Sequence, residues 1–153
     1  MNKDKSQRAN LASLLILKKD NKVLLMRRKD GPFEGLYTFP SGKVDEGETF
    51  TDAIIRETKE EINLDLKKEF LKVVYIIHQY DKGDEWVHTF FTTDFWEGEI
   101  KNMETHRCDN LDWFSIDNLP ENILEPLVIN VINKIEKGEF YSESSFPLPL
   151  KNK

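Results

Sequence analysis

The sequence has one cysteine, no long apolar run and no excess of positive charge, and each shortage excludes a class of protein. Cys108 is the only cysteine, so no intramolecular disulfide can form, as is usual in the reducing cytoplasm. The apolar run Leu11–Leu17 is much shorter than the roughly 20 residues that span a bilayer, and it follows no signal-peptide pattern. A formal net charge of −6 disfavours a nonspecific grip on a nucleic-acid polymer. We therefore expect a cytoplasmic protein that binds neither membranes nor nucleic-acid polymers.

Internal repeats, low-complexity tracts and linkers rich in Pro, Gly or Ser are also missing, so no domain boundary can be drawn. A chain of 153 residues with 39% hydrophobic and 33% charged residues has the size and composition of one folded domain. We expect residues 1–153 to form a single domain with flexible ends at about residues 1–8 and 143–153.

Stretches in which apolar residues alternate or run together, bounded by turn-forming residues, predict β-strands. The first two predicted strands are expected to pair through turn residues Asp20-Asn21. The predicted strands are Leu11–Lys18, Lys22–Arg28, Phe70–Tyr80, Trp86–Trp96 and Leu111–Phe114.

Two helices are predicted among these strands. The first begins after a cap at Thr49 or Thr51 and ends at Asn63, a residue type that tolerates the left-handed conformation. The second covers Ile123–Lys137 and ends before Gly138. Residues 30–48 are rich in Gly, Pro and turn formers and are expected to be a structured loop. This order predicts an α/β fold of the sandwich kind, with a mixed β-sheet.

Three glutamates are concentrated on the first predicted helix. Glu57, Glu60 and Glu61 stand at positions i, i+3 and i+4, which brings them to one helix face. Like charges at this spacing repel, and a Glu-rich face is most often simply solvated. Binding of a divalent cation is the alternative interpretation of the cluster, since Mg²⁺ is commonly held by a few carboxylates together with substrate phosphates.

The wider spacing decides between these interpretations. Gly42 is followed after five residues by Glu48, and Glu48 after seven more by Arg56-Glu57; Glu60, Glu61 and Leu64 complete the pattern. The segment resembles the Nudix box, which implies the α/β/α sandwich of that family, with a mixed β-sheet between helices. Chance would match the fixed Gly, Glu and Arg positions roughly once in a million starting points.

The resemblance implies roles for several residues of the box. Glu57, Glu60 and Glu61 match the family's metal ligands, and Ser41 matches the residue whose backbone carbonyl is a further ligand. The implied cofactor is Mg²⁺, for which Mn²⁺ can substitute. Arg56 and Glu48 match the catalytic-site pair that ties the loop to the helix, and their expected role is orientation.

Two residues depart from the box pattern. Thr58 stands where the family has an apolar residue, and its hydroxyl is expected to bond back to the helix. Asn63 replaces the terminal glycine, and asparagine is the next best residue in the left-handed conformation. Neither departure touches a carboxylate.

Hydrolysis of a phosphoanhydride also needs a base that takes the proton of the attacking water. The sequence offers Glu57 within the box and Glu104 in the loop that follows Trp96, a loop that resembles MutT-type members. Glu97 and Glu99 are weaker candidates, and an ordinary surface role for Glu104 also remains open.

Residues for substrate binding are harder to choose. Arg27 and Lys43 are the candidates for phosphate, although Arg28 alternates with Arg27 and only one of the two can face a cleft. For the base, we select Tyr37, Phe114 and Asn122, the last because its amide can both donate and accept. Phe33 and Trp113 are further aromatics of this kind, and core packing explains any of these rings equally well. The histidines, His78, His88 and His106, show no metal-ligand spacing.

The resemblance therefore implies an Mg²⁺-dependent hydrolase that cleaves a nucleoside diphosphate linked to another moiety. The favoured substrate is a nucleoside triphosphate, ordinary or oxidised, cleaved to a monophosphate and pyrophosphate. The alternatives are a dinucleoside polyphosphate or an ADP-ribose type of nucleotide sugar, and a non-catalytic binding module of the same fold. The expected partner is a small nucleotide, and a homodimer is compatible with the sequence.

Overall fold

The computed structural model describes residues 8–145, which form eleven strands and two α-helices. The predicted flexible ends, at about residues 1–8 and 143–153, lie mostly outside the described residues. Within the second of them, Glu143 and Ser144 belong to a strand. The helices are α1 (Phe50–Ile62) and α2 (Ile129–Glu136). The strands are β1 (Asn10–Leu15), β2 (Lys18–Lys19), β3 (Lys22–Arg28), β4 (Tyr37–Thr38), β5 (Ser41–Lys43), β6 (Asp65–Leu66), β7 (Leu71–Asp81), β8 (Asp84–Thr93), β9 (Trp96–Glu97), β10 (Cys108–Ser115) and β11 (Tyr141–Ser144).

The strands form one large mixed sheet and two smaller antiparallel ones. The large sheet has the order β11-β7-β8-β1-β5, in which β1 runs parallel to β8 and β11 runs parallel to β7. In the second sheet β3 pairs with β2, β4 and β10, whereas β6 and β9 form a separate pair. None of the helices in residues 8–145 is long and apolar enough to cross a membrane.

The two faces of the sheet region carry separate cores because successive strand residues point to opposite sides. Leu14 and Ile16 face the core that includes Val131 of α2, whereas Leu15 and Leu17 face the core that includes Ile54 of α1. Sheet residues thus pack between helices on both sides, which confirms the predicted α/β sandwich with a mixed sheet.

Helix α1 begins and ends as its sequence predicts. Thr49 is the N-cap: its side chain accepts a hydrogen bond from the Asp52 amide, and the Asp52 carboxylate accepts one from the Thr49 amide. Asn63 ends the helix in the left-handed conformation, with φ 63°. Thr58 is buried and donates its hydroxyl proton to the Ile54 carbonyl at 2.7 Å, as expected. The carboxylates of α1 are therefore mounted on a helix that is fixed at both ends.

The first predicted strand pair is only partly right. The segment Leu11–Lys18 does not form one strand beside Lys22–Arg28, because β1 lies in the large sheet between β8 and β5. Only the short strand β2 pairs with β3 across the predicted turn. The backbone hydrogen bonds of β1 are used by β8 and β5, which a local pattern cannot reveal.

The second predicted helix is too long at its start. Helix α2 begins at Ile129 rather than Ile123. The backbone before it is engaged elsewhere: the Tyr37 amide donates to the Asn122 carbonyl, and the Leu124 amide donates to the Tyr37 carbonyl. Since these bonds hold residues 122–124 in a β-bridge with Tyr37, the helix cannot start there.

Candidate active site

A cavity of about 330 Å³ lies where β5, α1 and β8 meet the loops before β4 and β10. Its lining combines carboxylates, cations and rings, which is the composition expected of a site for a charged aromatic ligand. The polar and aromatic residues in its wall are Arg28, Asp30, Phe33, Thr38, Ser41, Lys43, Glu57, Glu61, Trp86, His88, Glu104 and Arg107.

Glu61 is the most unusual of these groups. It is 4% exposed, and neither of its carboxylate oxygens has a hydrogen-bond partner among residues 8–145. Burial raises the pKa of this carboxyl well above its ordinary value, and the neighbouring charges of Glu57 and Glu104 raise it further. A buried carboxyl without partners is costly unless something supplies positive charge.

Glu57 lies beside Glu61 and packs directly on Gly42. A Cβ atom at position 42 would overlap the Glu57 side chain, so the box requires glycine at this place for steric reasons. Glu57 Oε1 accepts a hydrogen bond from Arg56 Nη1 at 2.8 Å. Burial nevertheless raises the pKa of Glu57 above its ordinary value. The close contact of β5 with α1 therefore fixes where this carboxylate stands.

Arg56 ties the loop before the helix to the helix itself. Its Nε and Nη2 donate to the two carboxylate oxygens of Glu48 at 2.7 and 2.9 Å, a bidentate arrangement. Its Nη2 also donates to the Lys43 carbonyl at 3.2 Å. Hydrogen bonds from Arg56 and from the Asp45 amide lower the pKa of Glu48 from 4.5 to about 2. The pair supports the loop that carries Gly42 and does not itself line the cavity.

The four predicted metal ligands are not equally placed. Ser41, Glu57 and Glu61 line the cavity. The side chain of Glu60 is 54% exposed and lies 3.4 Å from Arg56 Nη1, outside the cavity wall. Glu60 therefore lies at the outer side of the carboxylate group.

Glu104 is carried to the carboxylates by a loop that docks on the end of α1. The Met103 amide donates to the Glu61 carbonyl at 2.9 Å, and the Lys101 amide donates to the Ile62 carbonyl at 3.0 Å. Glu104 lines the cavity, with Arg107 Nη1 3.8 Å from its carboxylate. The weaker candidates Glu97 and Glu99 do not line this cavity.

The cationic part of the wall includes one of the two predicted residues and two that were not selected. Arg28 and Lys43 line the cavity, together with Arg107. Arg27 does not: its Nε donates to Asp109 at 2.6 Å, and its guanidinium lies 5.6 Å from the centre of the Tyr37 ring. The alternation along β3 thus directs Arg28 into the cavity and Arg27 away from it.

The residues chosen to contact a base lie outside the cavity wall. Tyr37 is 6% exposed and makes an edge-to-face contact with Phe114, so both rings belong to the core. Asn122 donates its side-chain amide to the Gly35 carbonyl at 2.8 Å. These contacts favour a structural role for all three, as the core-packing alternative anticipated for the two rings.

Trp86 and His88 are cavity residues that sequence reasoning missed. They are two positions apart on β8 and therefore point to the same side, and their rings stack at a centroid distance of 5.7 Å. The i, i+2 spacing of two rings on a predicted strand is the sequence signal that could have identified this pair. Metal-ligand spacing, the criterion applied to the histidines in the sequence, does not detect a pair of stacked rings.

The donor set suits a hard divalent cation. Among residues 8–145, no three acidic, histidine or cysteine side chains already surround one point as a complete ligand set. The unpartnered oxygens of Glu61, next to Glu57 and Glu104, are nevertheless the oxygen donors that such a cation takes. The residues therefore fit the cofactor implied by the box, with Glu61 at the centre.

Comparison with known proteins agrees with this fold. The family described as NUDIX domain matches residues 7–132, so the chain belongs to the Nudix family. It is similar to an ADP-ribose pyrophosphatase of Methanocaldococcus jannaschii, with 37% identity over 106 residues, which are 69% of this chain and 62% of that protein. It is also similar to the human 8-oxo-dGDP phosphatase NUDT18, with 28% identity over 89% of this chain and 41% of that protein.

Among solved structures, a MutT NUDIX hydrolase from Burkholderia pseudomallei superimposes with a TM-score of 0.73 at 26% identity. The alignment covers 82% of this chain and 98% of that one. The chain thus spans less than two thirds of both curated relatives named here but nearly the whole of the solved neighbour. The shared part is the Nudix domain.

Proposed function

We propose that this chain is a divalent-metal-dependent hydrolase that cleaves a phosphoanhydride bond in a nucleoside diphosphate derivative. The observation that carries the proposal is Glu61, a buried carboxyl without a partner that faces a cavity lined by Arg28, Lys43 and Arg107. The same cavity wall therefore carries carboxylates that can hold a metal and cations that can contact phosphates.

Glu57 and Glu61 would hold the cation, with the Ser41 carbonyl and Glu60 as the remaining ligands implied by the box. A bound Mg²⁺ or Mn²⁺ would supply charge neutralisation on phosphate oxygens and a water with lowered pKa. Arg28 and Lys43, which line the same cavity, bind and orient the phosphates.

Glu104 is our choice for the proton acceptor. One oxygen of Glu57 already accepts a hydrogen bond from Arg56, which restrains it as a ligand. The Glu104 carboxylate lines the cavity, and its only ion pair among residues 8–145 is a distant one, to Arg107 at 3.8 Å. Its carboxylate oxygen therefore accepts the proton of the attacking water, and Arg107 orients it.

The favoured substrate is a nucleoside triphosphate, ordinary or oxidised, which fits the MutT-type loop around Glu104. ADP-ribose is the second candidate, and the 37% identity with a protein named for that activity supports it. Both contain a nucleoside diphosphate linked to another group, so one site can be tested with both. We place the protein in the cytoplasm, since its buried Cys108 is a free thiol.

A substrate panel tests the proposal. Purified protein is incubated with dGTP, 8-oxo-dGTP, ADP-ribose and a diadenosine polyphosphate, each with Mg²⁺, with Mn²⁺ or with a chelator. We expect metal-dependent turnover of at least one substrate: a triphosphate yields a monophosphate and pyrophosphate, and ADP-ribose yields AMP and ribose 5-phosphate. Tight binding of these ligands without any turnover would instead establish the non-catalytic binding module.

A further inference from the structure

Trp86 and His88 form a platform of two rings in the cavity wall that the proposed chemistry does not use. The rings are nearly parallel, with 8° between their planes. The indole Nε1 donates to Asp84 Oδ2 at 3.1 Å, so the polar edge of the indole is satisfied within its own hairpin. His88 covers one face of the indole, so the part of Trp86 that lines the cavity is the rest of its aromatic surface.

His88 supports this platform without adding charge to it. The residue is 4% exposed, and its Nε2 lies 3.0 Å from the Gln79 side-chain oxygen. Burial lowers the pKa of His88 to about 4, so the imidazole is neutral near pH 7. A neutral buried ring beside Trp86 suits the packing of an uncharged flat ligand rather than a phosphate.

Lys43 connects the platform to the phosphate end of the cavity. Its Nζ lies 6.0 Å from the centre of the Trp86 ring, a cation–π distance, and it directly follows Gly42, on which Glu57 packs. Phe33 contributes a further ring to the same cavity of about 330 Å³. Lys43 therefore lies near the Trp86 ring and next in sequence to the glycine that Glu57 contacts, so a nucleotide whose base is on the ring has a cation near its phosphate.

We propose that Trp86, supported by His88, is the surface on which the base of the substrate stacks, and that it favours purine nucleotides. The bicyclic indole offers a purine more overlap than it offers a pyrimidine, and stacking of this kind tolerates changes at the base edge. Lys43 then binds the phosphate nearest the ribose. This inference rests on the proposed function, since it identifies the residue that recognises one end of that substrate.

Calorimetric titration with AMP, CMP and ribose 5-phosphate tests the platform, since these ligands share a phosphate and differ in the ring. We expect AMP to bind the full-length protein at least about fivefold more tightly than ribose 5-phosphate, with CMP between them. W86A removes this difference, and W86F retains most of it. Equal affinities of AMP and ribose 5-phosphate for the unmodified protein would overturn the proposal, whether or not W86A folds.

Tryptophan fluorescence provides a second readout with a matched control. AMP is expected to quench the emission of the unmodified protein and of W113F, because Trp113 lies outside this cavity. W86F binds AMP but loses the quenching; quenching retained in W86F would contradict the assignment. None of the three ligands contains a phosphoanhydride bond, so the result can be interpreted even if the substrate panel shows no turnover. Ring-dependent binding without turnover would contradict the proposed function alone.

Discussion

Helix α1 and the loop before it hold two glutamates in opposite electrostatic states. Glu48 receives three hydrogen bonds, two from Arg56 and one from the Asp45 amide, and its pKa falls to about 2. Glu61 is buried without a partner, and its pKa is raised well above the ordinary value. The same side chain is thus stabilised as an anion at one position and destabilised as an anion at the other.

This difference separates the group that maintains the architecture from the group that is available for chemistry. Glu48 is satisfied by the protein itself, so it fixes the loop that carries Gly42. Glu61 is satisfied by nothing in residues 8–145, and a cation supplied from outside would complete it. Substitutions at the two positions should therefore change activity and stability in different combinations.

Glu61→Gln should have the largest effect on activity. We expect turnover to fall by more than about 100-fold, since even residues that only support metal ligands typically cost 10- to 100-fold. The melting temperature in metal-free buffer should not fall, because a neutral amide replaces a carboxyl whose charged form is disfavoured by burial. Steady-state kinetics and thermal unfolding measure the two quantities. Glu69→Gln, an exposed carboxyl with the same charge change, serves as the control.

Gly42→Ala comes next, with an expected loss of about 100-fold in turnover. Its Cβ would occupy the space of the Glu57 side chain, and displacing a reacting group by about 1 Å costs this much. Gly47→Ala is a useful comparison, since no atom lies within 4 Å of a Cβ built there, although its φ of +86° adds backbone strain. Similar losses in both variants, with intact folding, would remove the steric explanation.

Arg56→Lys should lower activity by about 10- to 100-fold and also lower the melting temperature. Lysine keeps the charge but cannot form the bidentate contact with Glu48, so the loop loses its anchor. The loss of both activity and thermal stability distinguishes this position from Glu61, where we expect only activity to fall. If Arg56→Lys and Glu61→Gln changed activity and stability in the same way, the distinction between a residue that anchors the loop and a metal ligand would be wrong.

The pH dependence of Glu48 gives the smallest effect. Because its folded pKa of about 2 lies below the ordinary 4.5, the pair contributes stability above pH 4.5 that is lost as the pH falls toward 2. Glu48→Gln should therefore be less stable than the unmodified protein at neutral pH, with a difference that shrinks across this window. Denaturant unfolding at pH 7, 5, 4 and 3 measures it, and a constant difference would contradict the assignment.

The sequence predicted the carboxylates on α1 because their relative positions depend only on residues within that helix. The spacing of Glu57 and Glu61 fixes their positions once a helix forms, and the cap at Thr49 and the stop at Asn63 fix that helix. The burial of Glu61 depends on what packs around that helix. Its unpartnered state depends on surrounding residues and required the structure.

The remaining cavity wall depends on tertiary contacts that the local sequence does not encode. Alternation showed that Arg27 and Arg28 point to opposite sides of β3, but only the packing of Leu24 with the α1 core shows which side meets the carboxylates. The Asn122 amide could hydrogen-bond to the edge of a base, yet it donates to the Gly35 carbonyl. Strand β1 joined the large sheet for the same non-local reason, through its pairing with β8.

The central claim is that Glu61 is completed by a divalent cation, and Mn²⁺ binding followed by electron paramagnetic resonance measures this most directly. The titration needs no substrate and compares the unmodified protein with Glu61→Gln and with the Glu69→Gln control. We expect the first substitution to weaken Mn²⁺ binding by at least tenfold and the control to leave it unchanged. Equal Mn²⁺ affinity in all three proteins would contradict the claim.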